Sequence, residues 1–309
     1  MSSAQRIIVP AALAASQVRH HGAAGRAWVA KLPKLATNFL ERWQLRIDGP
    51  PAAGAVALVL PVRRADGTPA ILKLQPVDEE TAGEAAALRA WDGHGAVRLF
   101  EHDPATGTML IERLDRTRSL SSIPDDTRAV RILSELLARL VSVPAPVGMR
   151  RLGEIAEQML DQLPLALSRL PRVEDRLVVR TCATLMAEQL PVTEHQLLHW
   201  DLHYDNVLAG QREPWLAIDP KPLAGHPGFE LLPALWNRWE ELTITGNVAR
   251  AVRRRFDLMV DILGLDPQPA AAWTLGRVLQ NVLWDVQAGA STVDPVLDTI
   301  ARALFGRAS

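Results

Sequence analysis

The spacing of apolar residues changes character along the chain. Trp28, Leu32, Leu35, Phe39 and Trp43 recur at three- and four-residue steps, so they share one face of an amphipathic helix over 26–43. The glycines and prolines of 48–54 break that pattern. An apolar run of strand length follows at 55–62, then turn chemistry at Asp66 and Gly67, then a second strand over 69–75 that carries Lys73 near its end. A helix is predicted for 78–91, closed by Gly93 and Gly95. A second hairpin pairs 97–101 with 108–113. Beyond it the period is helical over 125–142, 151–170 (with Pro164 as a kink) and 173–190. It lapses over 195–229, where strand-like pieces at 206–209 and 215–219 flank a turn, and it returns over 229–241, 247–264, 270–288 and 293–305. A strand-rich first third and a helix-rich remainder predict an α+β protein. Its expected parts are an antiparallel-sheet lobe over 1–113 and a mostly helical lobe over 114–309.

Composition adds exclusions. With 34 basic and 35 acidic residues the net charge is −1, which argues against a general nucleic-acid binder or a polybasic membrane-surface protein. The single cysteine, Cys182, allows no intrachain disulfide and is expected in a core. No apolar run reaches the roughly 18 residues of a membrane span. A short apolar patch over 7–15 is interrupted by Pro10, so a cytoplasmic protein is the expectation; a monomer is expected without any sequence feature that requires it.

Candidate chemistry concentrates in His199-Trp-Asp-Leu-His-Tyr-Asp-Asn206 and in Asp219. Asp201 and Asn206 lie five residues apart, entering a short strand, and Asp219 follows after a turn and a second strand. This layout can bring three oxygen-bearing side chains together. A carboxylate and an amide oxygen suit Mg²⁺, and the second carboxylate can orient a hydroxyl and accept its proton. Phosphoryl transfer needs this set, because its loose transition state calls for positioning and charge neutralisation. Zinc is disfavoured: His199 and His203 have the helical spacing, but Trp200 stands where the zinc-protease motif has glutamate. The histidines are expected to fix the loop's shape. Lys73 suits an ammonium that reaches ATP phosphates, held by a carboxylate on the following helix. Glu80 and Glu84 share a face there, and Glu84 is favoured. Residues 48–54 occupy the place of a phosphate-covering loop, although Gly49 and Gly54 do not form G-x-G-x-x-G.

The loop resembles the H-G-D-L-H-x-x-N segment of aminoglycoside phosphotransferases, relatives of the protein kinases. Ile218-Asp219-Pro220 resembles their metal-binding segment. Trp200 and Ala217-Ile-Asp-Pro-Lys-Pro-Leu223 are similar to the streptomycin 6-kinase and hydroxyurea phosphotransferase branch. So are Gly25-Arg-Ala-Trp-Val-Ala, Leu32-Pro, Arg42-Trp-Gln-Leu45, Ala96-Val-Arg-Leu99 and Leu279-Gln-Asn-Val-Leu-Trp-Asp285. The resemblance implies a two-lobed protein-kinase-like fold and an ATP-dependent O-phosphotransferase that inactivates streptomycin at its 6-hydroxyl. It implies Asp201 as the base or hydroxyl-orienting group, Asn206 and Asp219 as Mg²⁺ ligands, and Lys73 as the phosphate contact. The backbone at Glu112 and Leu114 would hold adenine. The alternatives are the same fold acting on hydroxyurea or another small hydroxyl-bearing compound, and a non-catalytic nucleotide-binding module.

A cationic substrate such as streptomycin calls for carboxylates and flat aromatic faces. From 199 onward 13 acidic residues face 10 basic ones, whereas 11 face 13 before 114, a sign asymmetry in the useful direction. The candidate carboxylates are Asp205, Glu230, Glu241 and Asp285. Trp236 or Trp239, expected on one helix with Glu241, is the candidate wall. Arg253, Arg254 and Arg255 read as a solvated helix face.

Overall fold

Helix α1 (Ala11–Arg42) begins well before the periodic stretch, and two glycines explain how. The computed structural model describes residues 7–54, 56–190 and 195–308, so Ala55, the first residue of an expected strand, lies outside it. At Gly22 the backbone turns through φ 54, ψ −124, a conformation that L side chains avoid. At Gly25 an added Cβ would sit 2.1 Å from the carbonyl oxygen of Gln17. The two positions make a tight corner, and the arm before it turns inward. Ile7 and Leu13 are buried with Leu32, Ala36 and Phe39, so the apolar patch at 7–15 belongs to a core.

The sheet of this region comprises β1 (Arg46–Ile47), β2 (Ala52–Ala53), β3 (Leu58–Arg63), β4 (Pro69–Leu74), β5 (Leu99–Asp103) and β6 (Thr108–Glu112). Its order is β1-β3-β4-β6-β5, with β2 also on β3, and every pairing is antiparallel. Leu58, Leu60 and Val62 of β3 and Leu72 and Leu74 of β4 are fully buried. Each such side chain contributes on the order of 1.5–3 kcal/mol by leaving water. Helix α2 (Glu84–Trp91) starts six residues later than the pattern predicts. The Asp78 carboxylate accepts the N–H groups of Glu80 and Thr81, and the Thr81 hydroxyl donates to the Pro76 carbonyl. These local bonds compete with helical ones.

The chain divides into two compact units, Met1–Asp115 and Arg116–Ser309. Strand β7 (Asp115–Ser119) begins at the boundary and is followed in the second unit by α3 (Asp126–Val141), α4 (Leu152–Arg169), α5 (Val173–Ala187) and β8 (Gln196–Leu198). Next come β9 (Val207–Ala209), β10 (Trp215–Ala217), β11 (Leu223–Gly225), α6 (Leu232–Trp236) and α7 (Trp239–Ile244). The last helices are α8 (Val248–Leu263), α9 (Pro267–Gln287) and α10 (Pro295–Ala308). The strands form two small sheets, β10-β9-β7 and β11-β8. Helix α9 is buried on most of its circumference, as befits an element surrounded by other helices. Cys182 is buried and free. Among the described residues no helix is long and apolar enough to cross a membrane.

Two expectations fail here. The helix predicted over 229–241 is three pieces: a 3-10 turn at Pro227–Glu230, then α6 and α7. Arg238 separates the last two in a left-handed conformation (φ 52), and its guanidinium donates to the carbonyls of Ser121, Ile123 and Pro124. The Arg253–Arg255 run is not wholly solvated either. Arg255 is buried and grips both oxygens of Asp126 and the carbonyls of Ala234, Leu235 and Asn237.

Candidate active site

Strand β8 delivers residues 199–203, a 3-10 turn at Tyr204–Asn206 reverses the chain, and β9 carries it away. Pairing of β9 with β10 sets Ala217 opposite Val207. The Ile218 N–H therefore donates to the Asn206 carbonyl at 2.9 Å, which puts Asp219 beside the loop. Asn206 donates its side-chain N–H to the Asp201 carbonyl at 2.8 Å. That bond orients the amide, and its Oδ1 is the atom a cation would meet. Asp219 is held at φ 54, an uncommon conformation for a residue with a side chain. An amide oxygen and a carboxylate, with Asp201 close by, form an all-oxygen donor set that fits Mg²⁺.

Both histidines serve the loop's shape. His199 accepts the Asp201 N–H on Nδ1 at 3.4 Å, so its Nε2–H donates to the Ile218 carbonyl at 2.9 Å. Burial lowers its pKa to about 4, which keeps the ring neutral in this tautomer. No ring lone pair is left for a metal, and no group of three His, Cys, Asp or Glu side chains placed to hold a metal ion occurs among the described residues. His203 accepts the Asp205 N–H on Nδ1 at 3.3 Å and caps the 3-10 turn.

Trp200 precedes Asp201 with φ 67 and only 3% of its surface exposed. Its ring lies under the guanidinium groups of Arg277 (4.7 Å) and Arg150 (5.1 Å) and meets Trp284 edge-on at 6.0 Å. Its N–H donates to Glu230 Oε1 at 2.6 Å. Glu230 therefore corrects an expectation. It is fully buried and braces the loop backbone, so it is not presented to a ligand arriving from solvent. Burial pushes its carboxyl up to about 7 despite the Trp200 N–H and nearby Arg277.

The other substrate candidates are more open. Asp205 is exposed on the loop and accepts the Ser121 hydroxyl at 2.6 Å. Asp285 is exposed beside Trp284, and burial, then Asp294, raises its carboxyl. Glu241 faces Arg238 at 3.6 Å. Trp236 and Trp239 are half-buried on different helices: Trp239 shares α7 with Glu241 as expected, whereas Trp236 ends α6.

In the first unit Lys73 sits opposite Val59 and Met109 and is buried. Glu84 meets it: Oε1 accepts the ammonium at 2.6 Å, while Oε2 accepts the Gln75 amide at 2.6 Å. Gln75 was legible as the same-face neighbour of Lys73, two residues on, but nothing in its type marks it. The N–H of Glu112 is committed to the Arg98 carbonyl at 2.9 Å, so adenine would meet Glu112 through its carbonyl. Leu114 follows β6, half-buried. The hairpin joining β2 to β3 lies at the Lys73 end of the sheet, and the Gln17 side chain donates to the Val56 carbonyl within it at 2.9 Å. Asp48, in the stretch expected to cover phosphates, is instead paired with Arg113 at 2.7 Å and Arg63 at 3.1 Å.

Residues 42–289 match the model of the aminoglycoside/hydroxyurea antibiotic resistance kinase family. The chain belongs to that family. It is 52% identical to the streptomycin 6-kinase of Streptomyces glaucescens over 99% of this chain and 100% of that one. It is 54% identical to the hydroxyurea phosphotransferase of Kitasatospora aureofaciens over 97% of this chain and 86% of that one. The crystal structure of aminoglycoside phosphotransferase APH(4)-Ia superposes with a TM-score of 0.58 at 13% identity, covering 87% of this chain and 98% of that one. That likeness establishes the protein-kinase-like fold shared by aminoglycoside phosphotransferases: an antiparallel sheet in the N-terminal part and a mostly helical remainder.

Proposed function

We propose that this kinase transfers the γ-phosphoryl group of ATP to the 6-hydroxyl of streptomycin and so inactivates the antibiotic. The carrying observation is the convergence of Asp201, Asn206 and Asp219 through backbone bonds of β8 to β10, in a chain that matches a streptomycin 6-kinase from end to end. Asp201 orients the hydroxyl and takes its proton. Residues 1–113 bind the nucleotide: Lys73, held by Glu84, meets the phosphates, and the backbone at Glu112 and Leu114 meets adenine. Residues 114–309 hold the acceptor and the catalytic loop. Asn206 and Asp219 would hold Mg²⁺, which neutralises phosphate charge when bound. Asp205, Glu241 and Asp285 supply carboxylates for the guanidinium and amine groups of the substrate, with Trp236 or Trp239 as a flat neighbour.

The test is a substrate panel with Mg-ATP, read by product mass. Streptomycin is expected to gain one phosphoryl group at the 6-hydroxyl. Turnover of hydroxyurea with none of streptomycin would replace the substrate and keep the chemistry. That second reading has its own support in the 54% identity to a hydroxyurea phosphotransferase. It gains from the burial of Glu230, which removes one carboxylate from a pocket meant for a cation.

A further inference from the structure

Lys221 stands two residues beyond Asp219, between Pro220 and Pro222. Its N–H donates to the His199 carbonyl at 3.0 Å, which ties its backbone to the start of the catalytic loop. Its ammonium lies 3.5 Å from Asp201 Oδ2, with 40% of its side chain and 30% of that of Asp201 exposed. An ion pair this long and this open adds little to stability. Its placement beside the partly exposed Asp201 carboxylate is therefore the informative feature.

Three other arginines around the loop have partners of their own, and Arg150 stacks on the Trp200 ring. Arg238 is bonded to three carbonyls, Arg255 to Asp126 and three carbonyls, and Arg277 lies against Trp200, Phe229 and Trp284. From 199 to 206 the loop contains no lysine or arginine, and His199 is neutral. Phosphoryl transfer nonetheless places extra negative charge beside the base.

We propose that Lys221 is a catalytic residue that binds the γ-phosphoryl oxygens during transfer. This rests on the kinase reading above. A hydroxyl bonded to Asp201 sits within about 3–3.5 Å of the phosphorus it attacks, so an ammonium touching Asp201 also reaches the phosphoryl oxygens. The acceptor oxygen forms its bond to the γ-phosphorus as the bond to the β,γ-bridging oxygen breaks. That electron pair leaves with ADP, and the hydroxyl proton passes to Asp201. The Lys221 ammonium shifts from Asp201 toward the migrating group.

Lys221→Met keeps length and removes charge; Lys221→Arg keeps charge. With streptomycin and Mg-ATP, Lys221→Met should lower kcat about 10²-fold while both KM values stay within about three-fold, and Lys221→Arg should recover part of the loss. Calorimetry supplies a readout apart from turnover. Lys221→Met should bind ADP with Mg²⁺ as the parent does. It should lose at least about ten-fold of the tightening that aluminium fluoride, a mimic of the migrating group, gives in the presence of streptomycin. An unchanged kcat, or unchanged aluminium fluoride tightening, would overturn the assignment. So would a loss shared equally by Lys221→Arg and accompanied by a lower melting temperature, since that marks a structural role. A parent enzyme with no phosphoryl transfer to any acceptor fails earlier, and sinks the kinase reading with this one.

Discussion

Glu84 in the first unit and Glu230 in the second are both almost wholly buried glutamates, and they meet the cost of burial in opposite ways. Glu84 is matched on both oxygens, by the Lys73 ammonium and the Gln75 amide, each at 2.6 Å. Glu230 takes the Trp200 N–H on Oε1 and is also favoured by the His199 backbone, while Oε2 has no hydrogen-bond partner. A buried carboxylate without full pairing gives up its charge more readily, which is why the Glu230 carboxyl is pushed up to about 7. The contrast separates two tasks. The Lys73 region keeps a positive charge ready to meet a ligand. The Glu230 region fixes the backbone one residue before Asp201, the proposed base.

The largest separation between the regions is kinetic. Asp201→Ala should lower kcat by about 10²–10⁴-fold and leave nucleotide affinity within a few-fold, because its contact matters mainly in the transition state. Lys73→Ala should instead weaken ATP binding directly. Steady-state kinetics with calorimetry of ADP and a non-hydrolysable ATP analogue check the pair. Similar loss of nucleotide affinity in both variants would erase the division of labour.

The next effect is on folding. Glu84→Ala leaves the Lys73 ammonium buried without its carboxylate, and breaking a buried pair in this way costs about 3–5 kcal/mol. Denaturant unfolding should show it as a lower midpoint with unchanged slope. A change under about 1 kcal/mol would mean that Lys73 swings out to water, and the buried pair would lose its role as a fixed mount.

How much of this was legible follows from distance along the chain. The catalytic loop is eight contiguous residues, so their types and spacing carried the chemistry, and Lys73 with Glu84 spans one strand and one helix. The buried job of Glu230 was not legible. It depends on a tertiary approach of the 3-10 turn at 227–230 to residue 200, and a lone glutamate before a helix looks the same either way. Arg255 was misread because a run of three arginines signals a solvated face, while its actual partners are carbonyls near 235 and Asp126. The break at Arg238 has no glycine or proline to announce it. Strand β7 is polar at every position, and β8 and β11 are too short for alternation to register. The first arm of α1 is apolar chiefly at Ile7, Val9 and Leu13, and its corner depends on two glycines whose packing is visible only in three dimensions.

Glu230→Gln sharpens the contrast through pH. The folded carboxyl keeps its proton up to about pH 7, against an ordinary value of 4.5. Between those values the native chain binds more protons than the unfolded one, so this group makes stability fall as pH rises from about 4.5 to 7. Above that window the loss is constant, at about 3 kcal/mol or less. Glutamine keeps an acceptor for the Trp200 N–H and cannot ionise. The variant should therefore gain on the parent in melting temperature between pH 5 and 8, with kcat changing little. A gain that is the same at both ends would place the ionisation elsewhere.

Trp200→Phe should have the smallest effect, and its sign tests the brace from the other side. Phenylalanine keeps a flat ring beneath Arg277 and Arg150, but with less area and a weaker attraction for the cations, a loss of about 0.5–1 kcal/mol beyond the lost burial. Against that, the indole Nε1–H is buried with no hydrogen-bond partner, and its removal returns about 1–2 kcal/mol. The left-handed backbone at 200 is strained with either side chain, so that cost cancels. The net change in unfolding free energy should stay within about 1 kcal/mol, with kcat within about three-fold of the parent. A loss above about 3 kcal/mol, measured by denaturant unfolding, would mean that the ring and not the Glu230 carboxylate carries the brace. The loop would then be held by its stacked cations, and the difference between the two glutamates would lose its mechanical meaning.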